Sequence, residues 1–225
     1  ETSSSLGLVE HFRISAEKIM KERKYPIGSL VIEIGSNDGS MLKFFKTAGM
    51  KDLGIDPAQE IAKKATESGI PTMAEFFTSG LAHSILKDNG VASVVMANNV
   101  FAHSDNLADM AEGVKVLLSK DGIFVFEVSY LADILDKTLF DTIYHEHLSY
   151  HSIKPIASFL NLHGMKLIDV ERISTKGGSI RCTAQLLDSS AEPSASVGNL
   201  ISSERERGLD KIETYQKFAS QIYDS

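Results

Sequence analysis

Apolar and polar positions alternate along the first 130 residues in blocks of two kinds. Short continuous apolar runs are typical of buried parallel strands, and longer stretches with apolar residues three or four apart are typical of helices. The pattern predicts a first helix over 9–24, strands over 29–35, 51–57, 70–77, 91–99 and 122–130, and helices between them over 40–49, 58–69, 78–89 and 106–122. Strands that alternate with helices at this spacing indicate a parallel sheet with helices on both faces.

The pattern becomes less regular after residue 130. We predict an irregular segment over 140–152, a helix over 154–164, strands over 165–174 and 178–187, a Ser/Ala-rich loop over 188–198 and a charged amphipathic helix over 199–223. Because no helix precedes the seventh strand, that strand is expected to enter the sheet antiparallel. The expected fold is therefore α/β, with a seven-stranded, mostly parallel sheet.

Composition and charge narrow the possible functions. The 225 residues carry a formal net charge of -7, which argues against nucleic acid and against an anionic membrane surface as partners. No apolar run approaches the roughly 20 residues that a membrane span needs. The single cysteine, Cys182, excludes an internal disulfide framework and a cysteine-rich zinc site. A cytoplasmic location is the default expectation.

The stretch "VIEIGSNDGSML" (31–42) predicts a ligand-binding loop between a strand and a helix. It places Glu33 on the strand and glycines at 35 and 39. Glycines let the backbone approach a ligand, and a helix N-terminus adds partial positive charge. A dinucleotide-binding loop would have glycine two positions after Gly35, where this chain has Asn37. A second acid, Asp56, ends the second strand.

This ordered set resembles the Rossmann-like class I S-adenosylmethionine (SAM) methyltransferases, although a parallel sheet can also carry such a glycine and acid by chance. The resemblance implies that the first loop runs under the amino-acid end of SAM and that the acid after the second strand binds the ribose hydroxyls. Residues after the third and fourth strands flank the adenine and the sulfonium. The cofactor-binding positions so implied are Glu33, Gly35, Ser36, Asp38, Gly39, Asp56, Glu75, Phe76, Asn98, Asn99 and His103.

The segment "FDTIYHEHLSYHS" (140–152) concentrates three histidines, two tyrosines and a glutamate after the fifth strand. Ligands of open α/β sheets bind at the carboxyl ends of the strands, so the segment is expected near a methyl acceptor. Three interpretations compete: a metal site, a polar loop without a chemical role, and acid–base catalysis by histidine. In an extended segment, Tyr144 and Glu146 would share one face and His145 and His147 the other. A turn would mix the faces, so spacing alone assigns no roles.

Together with "NNVFAH" (98–103), "FEVSY" (126–130) and "KGGSIR" (176–181), the segment resembles sugar C-methyltransferases that act on nucleotide-linked keto-deoxysugars. The resemblance implies that His147 removes a proton from the carbon beside the ketone, assisted by Tyr144 and Glu146, and that the enolate then attacks the SAM methyl group. Tyr144 is one candidate donor to the enolate oxygen. Arg181 is a candidate phosphate partner because guanidinium forks suit phosphate oxygens, and the alternative is an ordinary surface arginine. Tyr150 is a second substrate-binding candidate.

The family also carries an N-terminal subdomain with zinc on four cysteines and a second α/β domain after the long helix. We therefore expect a central methyltransferase domain over 1–190, and a linker and helix over 191–225 leading to a domain absent from this chain. No metal is expected in the chain itself. The alternatives are an O- or N-methyltransferase, a non-catalytic SAM- or nucleotide-binding module, and a metal-dependent hydrolase using the histidines.

Overall fold

A computed structural model describes residues 2–223. The strands are β1 (Leu30–Ile34), β2 (Lys51–Ile55), β3 (Thr72–Met73), β4 (Ala92–Asn98), β5 (Leu118–Ser129), β6 (Met165–Ile173) and β7 (Ser179–Leu186). The helices are α1 (Leu6–Arg23), α2 (Leu42–Thr47), α3 (Gln59–Glu67), α4 (Ser79–Asn89), α5 (Leu107–Leu117), α6 (Leu131–Asp136), α7 (Ile153–Leu162), α8 (Ala195–Glu206) and α9 (Ile212–Tyr223).

The seven strands form one sheet in the order β3-β2-β1-β4-β5-β7-β6. β1 pairs parallel with both β2 and β4, and β7 pairs antiparallel with β6. All five residues of β1 are buried, as expected for a central strand covered on both faces. The predicted seven-stranded, mostly parallel α/β fold with an antiparallel last strand is confirmed. Among the described helices, none combines the length and apolar character needed to cross a bilayer.

The chain divides into two compact units. The first contains residues 2–97 and 108–124, and the second contains residues 98–107 and 125–223. In the first unit the predicted helix over 106–122 is too long, because α5 ends at Leu117 and β5 begins at Leu118. Gly122 does not end a helix. It lies inside β5, where a Cβ would be 2.8 Å from the Ala92 carbonyl oxygen, so glycine permits the close approach of two strands.

β3 is also shorter than the predicted 70–77. Only Thr72 and Met73 pair with β2, and β3 lies at the edge of the sheet. An edge strand has a single neighbour, so fewer residues gain ladder hydrogen bonds. Residues 74–78 therefore form a loop before α4.

The C-terminal part of the second unit differs from the prediction in its helices. The expected single helix over 199–223 is two helices, α8 and α9, and α8 begins inside the predicted loop over 188–198. The break includes Gly208, whose φ is +68°, and the Tyr215 hydroxyl donates to the Leu209 carbonyl at 2.6 Å.

α8 is held within the second unit by a buried carboxylate. Glu204 accepts hydrogen bonds from the backbone amides of Ile153 (2.6 Å) and Lys154 (3.2 Å) and from the Tyr130 hydroxyl (3.0 Å). The first two satisfy free N–H groups at the N-terminus of α7. The predicted boundary at residue 190 stays a prediction.

Candidate active site

The loop after β1 carries the first group of predicted cofactor residues. Gly35 has φ +68° and Gly39 has φ +70°, conformations that glycine adopts at little cost. The Gly35 amide donates to the Ile55 carbonyl at 2.8 Å, and the Gly39 amide donates to the Ser36 carbonyl at 2.9 Å. The Asn37 amide donates to Asp56 Oδ2 at 2.9 Å. These hydrogen bonds hold the ends of β1 and β2 together beside a tight turn, as expected of a ligand-binding loop.

Two buried carboxylates lie in this loop region. Asp38 accepts from the Ser40 hydroxyl at 2.6 Å and from the Ser3 amide at 2.8 Å. Burial alone would raise the pKa of Asp38, but these hydrogen bonds outweigh it, and the pKa lies below its ordinary value. Asp56 accepts from the Ala58 amide at 3.0 Å. An ionised carboxylate has about four acceptor positions. Asp38 also accepts from the Ser40 amide at 3.2 Å and from the Ser3 side chain, so its positions are occupied. Asp56 accepts from two amides and retains capacity for a ligand.

Glu33 and Ser36 are buried at the edge of the same loop, 3% and 4% exposed. Glu33 is paired in register with Gly54 of β2. A Cβ at Gly54 would lie 2.5 Å from Ser36 Oγ, so the serine hydroxyl points toward β2. Ser36 therefore fits the loop because residue 54 has no side chain.

Glu75 and Phe76 lie in the loop after β3, and both are exposed. Phe76 is 78% exposed, whereas the neighbouring Phe77 lies against α5, where a Cβ at Gly113 would meet its ring at 2.9 Å. The two adjacent rings therefore have different environments. Phe77 anchors the loop, and Phe76 is available to a ligand.

The remaining predicted cofactor residues belong to the second unit. Asn98 ends β4, and Asn99 has φ +56°. The Asn99 amide donates to the Glu127 carbonyl at 2.8 Å. His103 ends a 3₁₀ turn that begins at Phe101. The left-handed backbone at Asn99 turns the chain out of the strand, a conformation that asparagine adopts more readily than most residues.

The histidine-rich segment is a compact turn. A 3₁₀ turn covers Phe140–Thr142, and the His147 amide donates to the Tyr144 carbonyl at 3.0 Å. The Leu148 amide donates to the Ala102 carbonyl at 2.8 Å. The segment is a turn and is not extended, and the turn brings the side chains of residues 144 and 147 together.

The His147 ring is fixed by contacts at both nitrogens. Nδ1 lies 2.8 Å from the Thr142 carbonyl oxygen, which can only accept, so Nδ1 carries the proton. Nε2 of the neutral ring is therefore the free base, and it faces the Tyr144 hydroxyl at 3.4 Å. The Tyr150 hydroxyl also donates to the Thr142 carbonyl, at 3.4 Å. These contacts fix the orientation and the tautomer of the His147 ring and leave Nε2 as its basic nitrogen.

A second histidine lies beside the first. The rings of His103 and His147 have centroids 5.0 Å apart. Burial lowers the pKa of His103, the positive charge that His147 can carry lowers it further, and Glu146 partly opposes both effects. Glu146 is exposed, and its described influence is on His103. Its predicted assistance to His147 stays a prediction.

The other two histidines of the segment have different environments. His145 is exposed. His151 is buried, its Nε2 lies 3.0 Å from Ser149 Oγ, and residue 151 bridges Tyr130 at the end of β5. Within residues 2–223 no group of three or more His, Cys, Asp or Glu side chains is arranged to hold a metal ion. The contacts of His151 are those of a structural residue.

Arg181 lies in a buried ion-pair network. It is 8% exposed, its guanidinium contacts Glu127 Oε1 at 2.6 Å, and Nη1 contacts Glu171 at 3.3 Å. The two carboxylates occupy much of its donor capacity. The geometry favours a structural role over the predicted contact with a substrate phosphate.

Comparisons with known proteins decide the family. Residues 16–170 match a family described as "Methyltransferase domain", which is more than half of the chain. The chain belongs to this methyltransferase family. Residues 174–225 match a second family, described as "C-methyltransferase C-terminal domain". These matches confirm the predicted resemblance to C-methyltransferases.

The chain is 33% identical over 217 residues to the C-methyltransferase NovU of Streptomyces niveus. The match covers 96% of this methyltransferase chain and 52% of NovU, so the chain spans about half the length of that curated relative.

Solved structures show the same fold. The magnesium protoporphyrin IX methyltransferase ChlM of Synechocystis PCC 6803, with bound SAH, has a TM-score of 0.61 and 17% identity over 80% of this chain and 83% of its own. The PH0226 protein of Pyrococcus horikoshii OT3 has a TM-score of 0.65 and 12% identity over 81% and 92% of the two chains. At these identities the likeness concerns the fold alone.

Two features of the methyltransferase site were missed from the sequence. One is the pairing of His103 with His147, since His103 was expected only beside the cofactor. The other is Lys176 of the "KGGSIR" motif, which lies close enough to His103 to lower its pKa. The two consecutive glycines after Lys176 were an available signal, because they indicate a tightly held backbone.

Replacing Gly39 tests the loop after β1. A Cβ there would lie 2.8 Å from Ile70 Cγ2 in a backbone with φ +70°. We expect Gly39→Ala to lower the free energy of unfolding by about 1–3 kcal/mol and to weaken SAM binding. Urea unfolding measures the first effect, and calorimetric titration with SAM measures the second. Gly7→Ala is the control, since its Cβ would meet nothing within 4 Å in α1. Unchanged stability and affinity in Gly39→Ala would contradict the prediction.

The buried His151 predicts a pH dependence of stability. Burial lowers the pKa of His151 to about 4, below the value of about 6.5 in an unfolded chain. The unfolded state therefore binds the proton more readily, and the stability contributed above about pH 6.5 is lost as the pH falls toward about 4. Between about pH 7.5 and 5 this amounts to about 2 kcal/mol.

We expect His151→Gln to reduce this loss, since it removes the titrating group while keeping a polar partner for Ser149. Urea unfolding of both proteins at the two pH values measures the difference. His83→Gln, at an exposed position on α4, is the control and should keep the wild-type dependence. The same dependence in His151→Gln would show that His151 is not its source.

Proposed function

We propose that this methyltransferase transfers a methyl group from SAM to the carbon beside a ketone in a nucleotide-linked deoxysugar, with His147 as the base. The observation that carries the proposal is the fixed tautomer of His147. Its Nδ1–H donates to the Thr142 carbonyl at 2.8 Å, so Nε2 is available to accept a proton. The motif resemblance and the match to the C-methyltransferase NovU support a carbon acceptor.

The chemistry requires such a base. A carbon beside a ketone is not nucleophilic until it loses a proton, whereas an amine already has a lone pair. His147 Nε2 takes the proton, the C–H electron pair forms the enolate double bond, and the carbonyl π electrons move to oxygen. The enolate carbon then forms a bond to the methyl group as the methyl–sulfur bond breaks. A positioned base contributes roughly 10²–10⁴-fold to rate.

The residues of the first unit fit SAM, which supplies an electrophilic methyl group on a sulfonium. The positive φ values of Gly35 and Gly39 let the loop backbone turn beneath the amino-acid end of the cofactor. Asp38, whose pKa is lowered, keeps a negative charge that attracts an ammonium group. Asp56 is an acceptor for ribose hydroxyls, and the exposed Phe76 ring is a stacking surface for adenine.

In the second unit, Asn98, Asn99 and His103 are proposed to contact the cofactor, and Tyr150 the acceptor. Tyr144 and Glu146 are proposed to assist His147. We also propose a cytoplasmic location, because the lone Cys182 is buried as a free thiol.

An isotope experiment on the full-length protein tests the function. Methyl-labelled SAM and a nucleotide-linked keto-deoxysugar are incubated with the protein, and the product is examined by NMR. Label on the carbon beside the ketone is expected, and label on oxygen or nitrogen would contradict the mechanism. Without SAM, the same protein should exchange that carbon-bound hydrogen with deuterated solvent, because deprotonation precedes transfer.

A further inference from the structure

The loop between β6 and β7 contains a lysine in a strained backbone. Lys176 has φ +52° and ψ +39°, a left-handed conformation that costs a non-glycine residue roughly 1 kcal/mol. It is followed by Gly177 (φ +81°) and Gly178 (φ +142°). Strain of this kind persists where the surrounding structure fixes it, and such positions concentrate at functional sites.

The surroundings fix this loop closely. The Gly178 amide donates to the Thr175 carbonyl at 2.9 Å, and the Gly178 carbonyl accepts from the Tyr130 amide at 3.1 Å. A Cβ at Gly177 would lie 2.6 Å from Leu139 Cδ1. Leu139 directly precedes the 3₁₀ turn that contains Thr142, the residue that orients His147. The loop carrying Lys176 is therefore packed against the segment that positions the base.

The positive charge of Lys176 acts electrostatically on His103, the ring next to the proposed base. Lys176 is exposed as a whole residue, but partial desolvation of its ammonium lowers its pKa, and the carboxylate of Glu127 partly opposes this. Its positive charge in turn contributes to lowering the pKa of His103, whose ring lies 5.0 Å from that of His147. Glu127 is itself in contact with Arg181 at 2.6 Å. The carboxylate that acts on Lys176 therefore also pairs with a buried arginine.

The proposed reaction needs a donor to the ketone oxygen that Tyr144 is badly placed to supply. The Tyr144 hydroxyl lies 3.4 Å from His147 Nε2, which is the atom that receives the proton. Developing charge on an oxygen is best stabilised by a cation or donor already in position. The positive charge of Lys176 also disfavours protonation of the neighbouring His103.

The geometry points to Lys176 as the group that stabilises the enolate oxygen formed when His147 removes the proton. This inference rests on the proposed carbon methylation. The lysine stays protonated throughout and donates an N–H hydrogen bond to the oxygen. The proton from carbon goes to His147 Nε2, so no further reactant is needed.

Lys176→Met in the full-length protein tests the role, since it keeps the length of the side chain and removes the charge. We expect kcat and the rate of SAM-independent deuterium exchange to fall together by about 10²–10³-fold. The affinity for SAM should stay within about twofold of wild type. Lys63→Met, at an exposed position on α3, is the matched control and should leave both rates unchanged.

Chemical rescue separates catalysis from structure. After Lys176→Cys, treatment with 2-bromoethylamine attaches an aminoethyl group to the new thiol and restores an ammonium at nearly the original distance. The native Cys182 is 0% exposed, and burial raises the pKa of its thiol, so it stays unmodified. We expect the treatment to recover at least about a tenth of the lost activity. Treated wild-type protein is the control.

Three results would overturn the inference: turnover within about threefold of wild type in Lys176→Met, no recovery after alkylation, or an increase in KM with kcat and exchange at saturating substrate unchanged. The last would assign Lys176 to substrate binding. Failure of the proposed function is distinct, because it is seen in the wild-type protein as label on oxygen or nitrogen and as absent exchange.

Discussion

His147→Ala is expected to lower kcat by about 10²–10⁴-fold, the usual contribution of a positioned base. The physical reason is the loss of Nε2, the nitrogen left unprotonated by the bond from Nδ1–H to the Thr142 carbonyl. SAM affinity should be unchanged, because the predicted cofactor contacts of the first unit are intact. Methyl transfer and calorimetric titration of the full-length protein measure the two quantities.

His145→Ala is the matched control, since His145 belongs to the same turn and is exposed. It should retain turnover within about threefold of wild type. The solvent-exchange assay adds a second readout, because exchange at the acceptor carbon should disappear in His147→Ala and persist in His145→Ala. If His147→Ala exchanges and methylates as wild type does, another group is the base.

The sheet and its cofactor loop could be predicted from the sequence because their signals are local. A buried strand such as Leu30–Ile34 is a continuous apolar run, and the glycines at 35 and 39 occur where the backbone needs positive φ. Asp56 follows the second strand, so its proximity to the first loop results from parallel pairing of neighbouring strands. Each of these features depends on residues close in sequence or on a regular crossover.

The tautomer of His147 could not be predicted, because it depends on a carbonyl five residues away. The 3₁₀ turn at Phe140–Thr142 directs the Thr142 carbonyl at Nδ1. Spacing alone could not distinguish an extended segment from a turn, and the turn places residues 144 and 147 together. The meeting of His103 with His147 depends on a contact between loops 44 positions apart, marked by the Leu148–Ala102 hydrogen bond.

The spacing of apolar residues also could not predict where the C-terminal helices begin and end. α8 begins at Ala195, where the hydroxyls of Ser194 and Ser196 donate to Asp169 at 2.6 and 2.9 Å. Serine and alanine in this stretch are typical of loops, but here β6 supplies an acceptor that fixes the helix start. A helix anchored by a side chain from a distant strand carries no local signal.

The environment of Arg181 followed from strand order. β7 lies between β5 and β6, so a residue of β7 can be enclosed by side chains from both neighbours. Glu127 of β5 and Glu171 of β6 are such neighbours. The sequence showed an arginine after a glycine pair, which is compatible with a phosphate contact, but it could not show that two carboxylates flank it.

Arg181→Met is expected to lower the free energy of unfolding by about 3–5 kcal/mol, the cost of breaking a buried ion pair by removing one partner. Glu127 is 2% exposed, so it would retain a buried charge without the guanidinium that contacts it at 2.6 Å. Urea unfolding of the two proteins measures the change. Arg13→Met is the control, because Arg13 pairs with Glu10 and Glu17 at an exposed site, where such pairs are worth at most about 1 kcal/mol.

A second substitution identifies the source of the effect. In the double variant Arg181→Met/Glu127→Met no charge is left buried at this position, so stability should recover part of the loss seen in Arg181→Met alone. If the arginine instead binds a substrate phosphate, Arg181→Met would unfold like wild type and its KM for the nucleotide-linked sugar would rise by about tenfold or more. Because a buried ion pair predicts the opposite result in both measurements, stability and KM together decide between the two roles.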